Sequence, residues 1–235
     1  MRLGIITANF GRVPILEIFA EGITRLRSDT GLTIPTVCVG SEDGQEICRS
    51  HAIDHIVFPN TPLTSKFNRA CLELKGKTDY VMILGSDNLI STRTFLNITK
   101  ECEKGIDLIG LSEVYFFCMD DIHTGKLIHF RHTTVLGVGR TIKATVLDNL
   151  NWQPWVISRD RAIDTVMLDA VRPYVSTRSL LDGEFVADLK TSMNLNHVRF
   201  WAEKLGYMPN ADLFWNNIGP REKELIKNYL NSSKN

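Results

Sequence analysis

Strand and helix patterns alternate five times within the first 111 residues, and this alternation constrains the fold more than any other feature. Short apolar runs bounded by turn-forming residues predict strands at 3–7, 35–39, 55–58, 80–87 and 107–111. Amphipathic stretches between them predict helices at 14–28, 45–51, 64–75 and 91–104. This order predicts an α/β fold with a mostly parallel sheet and helices on both faces. In such folds ligands bind at the carboxyl ends of the strands.

The pattern changes after residue 111. Residues 113–119 and 126–131 predict an antiparallel hairpin, and an extended stretch near 174–177 and a polar loop at 190–197 follow. Further helices are predicted at 141–150, 161–170, 198–205 and 221–230. Because no linker separates the halves, we expect one domain over residues 1–235. Residues 112–230 then form a second wall of a cleft, and only the tail 231–235 is expected to be disordered.

Composition excludes several classes of protein. Lys plus Arg and Asp plus Glu number 27 each, so there is no global basic field to hold nucleic acid. The five cysteines form no CxxC pair and are interpreted as small buried side chains in a reducing compartment, without a zinc site. No apolar stretch approaches the ~18 residues of a membrane span. The amino terminus turns polar too early for a signal peptide, so we expect a cytoplasmic protein.

The apolar run from Tyr80 to Leu84 leads directly into Gly85-Ser86-Asp87-Asn88. This pattern predicts a buried strand with the carboxylate of Asp87 at its carboxyl end. A carboxylate in that position can hold a divalent cation against a phosphorylated substrate. The alternative is an aspartate that only turns the chain before a helix that begins near Ser91.

Three segments, in this order, resemble the glycosyltransferases of the GT-A fold, especially small phage and bacterial relatives of the family-2 type. They are Gly4 to Arg12, Val37 to Asp43, and Leu84 to Asn88. The resemblance covers residues 1–111 well and the remainder loosely. It implies a GT-A-like sheet and a transferase that moves a sugar from a nucleotide-sugar donor to a hydroxyl acceptor. Residues 1–111 would bind the donor and residues 112–230 would form the acceptor side.

The sequence departs from the family at the expected metal motif. The family has two acids separated by one residue, whereas Gly85 stands at the first acidic position and Asp87 at the second. The resemblance makes Asp87 the direct ligand of Mn²⁺ or Mg²⁺, and His197 is a candidate ligand from the second half. With one carboxylate, metal independence stays open.

The resemblance also implies residues that bind the donor. Thr7, Ala8 and Asn9 would hold the base and ribose, and Glu42 or Asp43 would contact the base. The remaining candidates are Arg12, Lys66, Asn68, Ser86, Gly139, Arg140 and Lys190, with Arg12, Lys66 and Lys190 neutralising the diphosphate. The alternative for each is an ordinary role in a turn, a helix cap or a solvated surface.

A catalytic base is required if the reaction inverts the sugar. Asp160 and Asp164 lie one helical turn apart near the start of a helix in the second half, where the family places such an acid. Asp164 is preferred, because Asp160 can cap the helix. Alternatively, both pair with Arg159 or Arg161 on a solvated face.

The sequence does not determine the donor sugar, the acceptor or the oligomeric state. Small relatives of this type occur in phage genomes, so the resemblance makes a hydroxymethylated base in phage DNA one candidate acceptor. The basic residues of the second half could contact phosphates, but a solvated surface is the preferred interpretation. An envelope polysaccharide or a small molecule is equally open. Two other functions stay open: a sugar nucleotidyltransferase, and a non-catalytic nucleotide- or sugar-binding module that kept the fold. Gly85 favours the module, whereas the loop after the first strand has only one glycine and one arginine, which argues against the nucleotidyltransferase.

Overall fold

The computed structural model describes residues 1–120, 123–193 and 198–232. Its strands are β1 Leu3–Ala8, β2 Thr36–Gly40, β3 Asp54–Val57, β4 Tyr80–Ile83, β5 Asn88–Ile90, β6 Leu108–Leu111, β7 Glu113–Cys118, β8 Leu127–Arg131, β9 Thr141–Lys143, β10 Arg178–Leu181 and β11 Val186–Lys190. Its helices are α1 Val13–Thr30, α2 Gln45–Ser50, α3 Leu63–Leu74, α4 Thr92–Glu103, α5 Ala144–Asp148, α6 Ile163–Val171, α7 Val198–Leu205, α8 Asp212–Asn217 and α9 Pro220–Ser232.

A seven-stranded sheet in the order β10-β6-β9-β4-β1-β2-β3 forms the centre of the molecule. All its pairings are parallel except those of β9, which runs antiparallel to both β4 and β6. Neighbouring residues of β1 face opposite sides, so Ile5 packs into one apolar cluster and Ile6 into another. Both faces are therefore buried, which explains the continuous apolar strands. The predicted α/β class with a mostly parallel sheet is confirmed.

Local signals define the ends of the helices that cover this sheet. Pro14 lies in the first turn of α1, and Gly31 ends that helix in the left-handed region at φ 67° while its N–H bonds the Arg27 carbonyl. Ser91 caps α4 by accepting the backbone N–H of Thr94 at 3.1 Å. These helices begin and end close to where the sequence predicts.

A second sheet in the order β5-β11-β7-β8 packs beside the first. Strands β7 and β8 form the predicted antiparallel hairpin. Strand β11 inserts between β7, to which it is parallel, and β5, to which it is antiparallel. The ring of Phe117 stacks on Phe214 of α8 with centroids 3.9 Å apart, which attaches the carboxyl-terminal helices to this sheet.

The predicted strand over 80–87 is wrong in its second half. Strand β4 ends at Ile83, and the chain then turns to enter the small sheet as β5. The Asn88 side chain fixes the turn, because its Oδ1 accepts the Gly85 N–H at 2.6 Å. The Asn88 N–H in turn donates to the Gly85 carbonyl at 3.0 Å. The segment predicted as one strand thus contributes β4 to the seven-stranded sheet and β5 to the four-stranded sheet.

Several predictions in the second half also need correction. Residues 141–143 form β9, not helix, because the gap between β4 and β6 takes a short strand. The strand predicted near 174–177 lies at 178–181, after a 3₁₀ turn at Arg172–Tyr174. Strand β11 and helix α8 were not predicted, and Lys190 ends β11 where a loop was expected to begin. Asn231 and Ser232 belong to α9 and not to a disordered tail, because they extend its last turn; residues 233–235 lie outside the described residues.

Over the described part of the chain, none of the helices combines the length and the apolar character needed to cross a bilayer.

Candidate active site

A cavity of about 530 Å³ opens where β1 and β4 end at their carboxyl edge. The loop after β1, the turn after β4, the start of α3, the end of β11 and the start of α6 contribute its lining. Many of the residues selected from sequence line it: Ala8, Asn9, Arg12, Lys66, Ser86, Asp87, Asp160, Asp164 and Lys190. The tertiary structure therefore gathers residues from both halves of the chain in one place.

Asp87 lies in the turn between β4 and β5, and its carboxylate faces the cavity. Its Oδ2 accepts a hydrogen bond from Arg12 Nη1 at 2.9 Å, and the two side chains are only 12% and 16% exposed. Ser86 lies beside it and donates weakly to Asn9 Oδ1 at 3.4 Å. An acid and a guanidinium thus meet at the carboxyl end of β4.

A second carboxylate lies beside Asp87, and the sequence analysis assigned it no role. Asp188 on β11 pairs in register with Asn88 of β5, and the Leu189 N–H donates to the Asp87 carbonyl at 2.7 Å. Burial raises the pKa of Asp188 to about 6; Lys190 opposes this effect and the charge of Asp87 adds to it. The only signal in the sequence is one acid inside the apolar run Phe185-Val186-Ala187-Asp188-Leu189.

Lys190 closes this side of the cavity from the end of β11. Its Nζ donates to Asp188 Oδ2 at 2.7 Å and lies 4.9 Å from the centre of the Phe116 ring. The side chain is 6% exposed. Lys190 therefore lines the cavity from a fixed strand and does not close over it from a loop.

Gly85 shows why the first acidic position carries no side chain. A Cβ built on Gly85 would lie 2.5 Å from Asp87 Oδ1 and 3.1 Å from Asn88 Oδ1. A side chain there would displace the Asp87 carboxylate from its present orientation. The second carboxylate of this site comes from β11 instead.

Lys66 extends from the first turn of α3 towards the loop after β1. Its Nζ donates to the Asn9 carbonyl at 3.0 Å and to Asn60 Oδ1 at 2.9 Å, and the residue is 1% exposed. Burial lowers the pKa of Lys66. A buried ammonium with two neutral acceptors can still bind an anion, because no carboxylate forms an ion pair with it among the described residues.

The two candidate bases differ in their surroundings. Asp160 Oδ1 accepts the Leu63 N–H at 2.6 Å, so it caps the amino terminus of α3. Asp164, in the first turn of α6, packs its carboxylate directly over Gly137, where a Cβ would collide with it. The position of the Asp164 carboxylate thus requires glycine at residue 137, whereas the Asp160 carboxylate already accepts a hydrogen bond from the backbone of α3.

Several residues selected from sequence do not line the cavity. Arg140 is 1% exposed, and its guanidinium donates to the backbone carbonyls of Val135, Leu136 and Asp164, so it supports the cavity wall from behind. Asn68 makes two hydrogen bonds with the backbone of Trp155. The others outside the lining are Thr7, Glu42, Asp43 and Gly139. His197 lies outside the described residues.

The mouth of the cavity carries apolar side chains. Phe10 and Met193 line it and are 51% and 63% exposed. Val156 and Ile157, at 63% and 50%, lie in the segment between the lining residues Trp155 and Asp160. These exposed apolar side chains lie around the opening of the cavity.

No family model and no curated protein matches this sequence. Solved structures do match. The S. aureus TarS 1–349 structure is 10% identical with a TM-score of 0.57, over 80% of this chain and 60% of that one. The mannosyltransferase PcManGT from Pyrobaculum calidifontis, in complex with GDP-Man and Mn²⁺, is 11% identical with a TM-score of 0.57, over 82% and 58%.

The glucosyl-3-phosphoglycerate synthase from Mycobacterium tuberculosis, in complex with Mn²⁺, UDP and phosphoglyceric acid, is 10% identical with a TM-score of 0.54, over 82% of this chain and 72% of that one. The chain has the GT-A fold. This agrees with the resemblance found in the sequence. The chain spans about 60% of the first two of these GT-A structures.

A nucleotidyltransferase-type structure also shares the architecture. The 4-diphosphocytidyl-2C-methyl-D-erythritol synthase from Anaerococcus prevotii is 10% identical with a TM-score of 0.50, over 78% of this chain and 89% of that one. At such low identity these likenesses define the GT-A fold alone.

Proposed function

We propose that this protein is a glycosyltransferase that moves a sugar from a nucleotide-sugar to a hydroxyl acceptor. The observation that carries the proposal is the charge arrangement of the cavity, which two carboxylates and three cationic side chains line. Arg12 and Lys190 contact Asp87 and Asp188, and the Lys66 ammonium lies against the loop that follows β1. The GT-A fold supports the proposal, and two of the similar structures were solved in complex with GDP-Man or UDP.

The acid pair suits a divalent cation. Asp188 Oδ1 is buried and has no hydrogen-bond partner among the described residues, and Asp87 supplies a second carboxylate. Mg²⁺ and Mn²⁺ take oxygen ligands, commonly one or two carboxylates with substrate phosphates and water. Two of the neighbours hold Mn²⁺. When bound, such an ion would neutralise charge on the departing diphosphate.

The chain's own cations would share this task. The leaving nucleoside diphosphate accumulates negative charge, which fixed positive groups in a poorly hydrated cavity stabilise strongly. Arg12 and Lys190 line the cavity beside Asp87 and Asp188 and would donate to phosphate oxygens there. Lys66, whose ammonium donates to neutral oxygens of Asn9 and Asn60, would donate to a phosphate oxygen without losing an ion pair to any described residue.

Asp164 is the residue that we assign as the base if the reaction inverts the sugar. It would take the proton of the acceptor hydroxyl as that oxygen attacks the anomeric carbon. Among the described residues its carboxylate has no hydrogen-bond donor, whereas Asp160 is held by the Leu63 N–H. An acid without a donor keeps its lone pairs for the acceptor hydroxyl.

The apolar mouth favours an acceptor that carries an apolar group near its hydroxyl. DNA is less well supported, because several basic residues of the second half pair with acids or are buried. Arg131 pairs with Asp182 and Arg172 with Asp169, while Arg140 lies in the interior. Hydroxymethylated DNA is retained as one acceptor to be tested.

Isothermal titration with UDP and GDP, with and without Mn²⁺, followed by mass spectrometry of nucleotide-sugar mixtures, tests the proposal. We expect binding that Mn²⁺ strengthens and release of a nucleoside diphosphate with sugar transfer to an added acceptor. Release of pyrophosphate from a nucleoside triphosphate would indicate the nucleotidyltransferase. Binding without turnover, unaffected by Asp87→Asn, would indicate the non-catalytic module, and absence of nucleotide binding would exclude the proposal.

A further inference from the structure

Two cysteines and a histidine meet beneath the loop that follows β2. Cys38 on β2 and His55 on β3 are direct partners in the parallel register, so their side chains emerge on the same face of the sheet. Helix α2 connects these two strands and brings Cys48 over that face. The two sulfur atoms and a ring nitrogen of His55 all lie within 4.8 Å of one another.

This separation matches what a tetrahedral metal requires. Bonds of about 2.3 Å to sulfur and 2.0 Å to nitrogen imply ligand–ligand distances of roughly 3.5–3.8 Å. The ligand atoms, at most 4.8 Å apart, would therefore have to approach one another by no more than roughly 1.0–1.3 Å to reach the spacing of a bound site. The three residues come from a strand, a short helix and the adjacent strand, so a shared ion would join all three elements.

The histidine lacks the hydrogen bonds that a purely structural role would provide. Both ring nitrogens of His55 are buried, and neither makes a hydrogen bond of good geometry with the described residues, although the Ser41 backbone lies close enough to interact weakly with the ring. Leaving buried polar atoms without partners costs free energy, and native structures contain few of them. An ion bound to one nitrogen would satisfy it directly.

Although the cysteine spacing predicted no zinc site, we propose that Cys38, Cys48 and His55 form a binding site for a thiophilic divalent cation such as Zn²⁺, separate from the acidic cavity. These three residues would hold the ion, and binding would release the thiol protons. Thiolate and imidazole ligands select Zn²⁺ or Co²⁺, whereas the carboxylates of Asp87 and Asp188 suit Mg²⁺ or Mn²⁺. The ion would stabilise β2, α2 and β3 and the loop between them, and the site does not depend on the proposed transferase activity.

The test uses the full chain, reduced and freed of metal, titrated with Co²⁺ without oxygen. We expect one equivalent of Co²⁺ to produce thiolate-to-cobalt charge-transfer bands that added Zn²⁺ removes and Mn²⁺ does not. Cys48→Ser should abolish these bands. Cys71→Ser, at another buried cysteine, and Asp87→Asn should retain them, because neither residue belongs to the site.

Circular dichroism of each metal-free variant establishes that it folds. If Cys48→Ser does not fold, His55→Gln replaces it, and we expect its Co²⁺ affinity to fall at least about tenfold. Zn²⁺ should also raise the melting temperature of the wild type and not that of the ligand variant. Absence of charge-transfer bands in the folded wild type, or their persistence in the folded variant, overturns the proposal.

Discussion

Asp188 lies beside Asp87 because β11 inserts between β5 and β7 and the Leu189 N–H bonds the Asp87 carbonyl at 2.7 Å. The pairing joins an acid from the first half of the chain with one from the second. It supplies the second carboxylate that Gly85 cannot offer.

We expect Asp188→Asn and Asp87→Asn each to weaken Mn²⁺ binding at least about tenfold and to lower sugar transfer by about a hundredfold or more, because each removes one charged oxygen ligand. Isothermal titration with Mn²⁺ and a nucleoside diphosphate measures the first effect, and product formation measures the second. Asp169→Asn, at an acid on α6 that is 55% exposed, is the matched control. Equal Mn²⁺ affinity in Asp188→Asn and the wild type would contradict the role given to β11.

Gly137→Ala should reduce activity through Asp164. The added methyl group occupies the space of the Asp164 carboxylate, so that side chain must rotate away from the cavity wall. We expect turnover to fall at least about tenfold while nucleotide affinity stays near the wild-type value. In a double-mutant cycle with Asp164→Asn, the two losses should not add, since both remove the same group. If the two losses in kcat were fully additive, Gly137→Ala would not act through the Asp164 carboxylate.

Lys66→Met should weaken binding of nucleoside diphosphates about tenfold or more, the effect of one charge-assisted hydrogen bond. Stability should change little, because removal of a buried ammonium relieves desolvation while the Asn9 carbonyl loses its donor. Titration calorimetry and thermal melting measure the two effects. Lys75→Met, at the exposed end of the same helix, should leave both unchanged. If Lys66→Met binds nucleoside diphosphates as tightly as the wild type, Lys66 does not contact the donor.

Asp107 provides a prediction for pH and stability. Burial by itself would raise the pKa of Asp107, but hydrogen bonds from Thr177 and Ser176 and the charge of Lys143 outweigh it, so the pKa lies below 3.8. Its stabilising effect is therefore complete above that pH and is lost as the pH falls through the folded-state pKa. We expect Asp107→Asn to lower the free energy of unfolding by about 1–2 kcal/mol at pH 7.

The difference between Asp107→Asn and the wild type should shrink towards zero as the pH falls through the folded-state pKa of Asp107, which lies below its ordinary value. Urea unfolding at several pH values, with Asp169→Asn as the control, measures it. A difference that is constant across this range would mean that the charge of Asp107 contributes nothing.

Much of the first half could be predicted from sequence because its signals are local. Apolar runs, Pro14 at the start of α1 and Ser91 before α4 act within a few residues, and the structure forms those elements as expected. The resemblance added the GT-A fold and directed attention to Asp87. Both types of signal are complete within a short window of residues.

The second half was harder to predict because its elements depend on distant partners. Thr141 and Ile142 are β-branched and favour a strand, but three residues are too few to show a strand pattern in the sequence. They form β9 because β4 and β6 leave a gap between them. The position of Asp188 also depends on a distant partner. A single acid in an apolar run does not indicate a site, and Asp188 reaches the cavity only because β11 pairs with β5.

The sequence by itself therefore determined the alternating strands and helices, the buried carboxyl end of β4 and the acid that follows it. Only the tertiary structure decided that Asp188 joins Asp87, that Arg140 lies behind the cavity wall and that Cys38, Cys48 and His55 share one pocket. The physical reason is the distance along the chain over which each kind of interaction acts. Hydrophobic periodicity and capping act between near neighbours, whereas side chains far apart in the chain meet through strand pairing and packing.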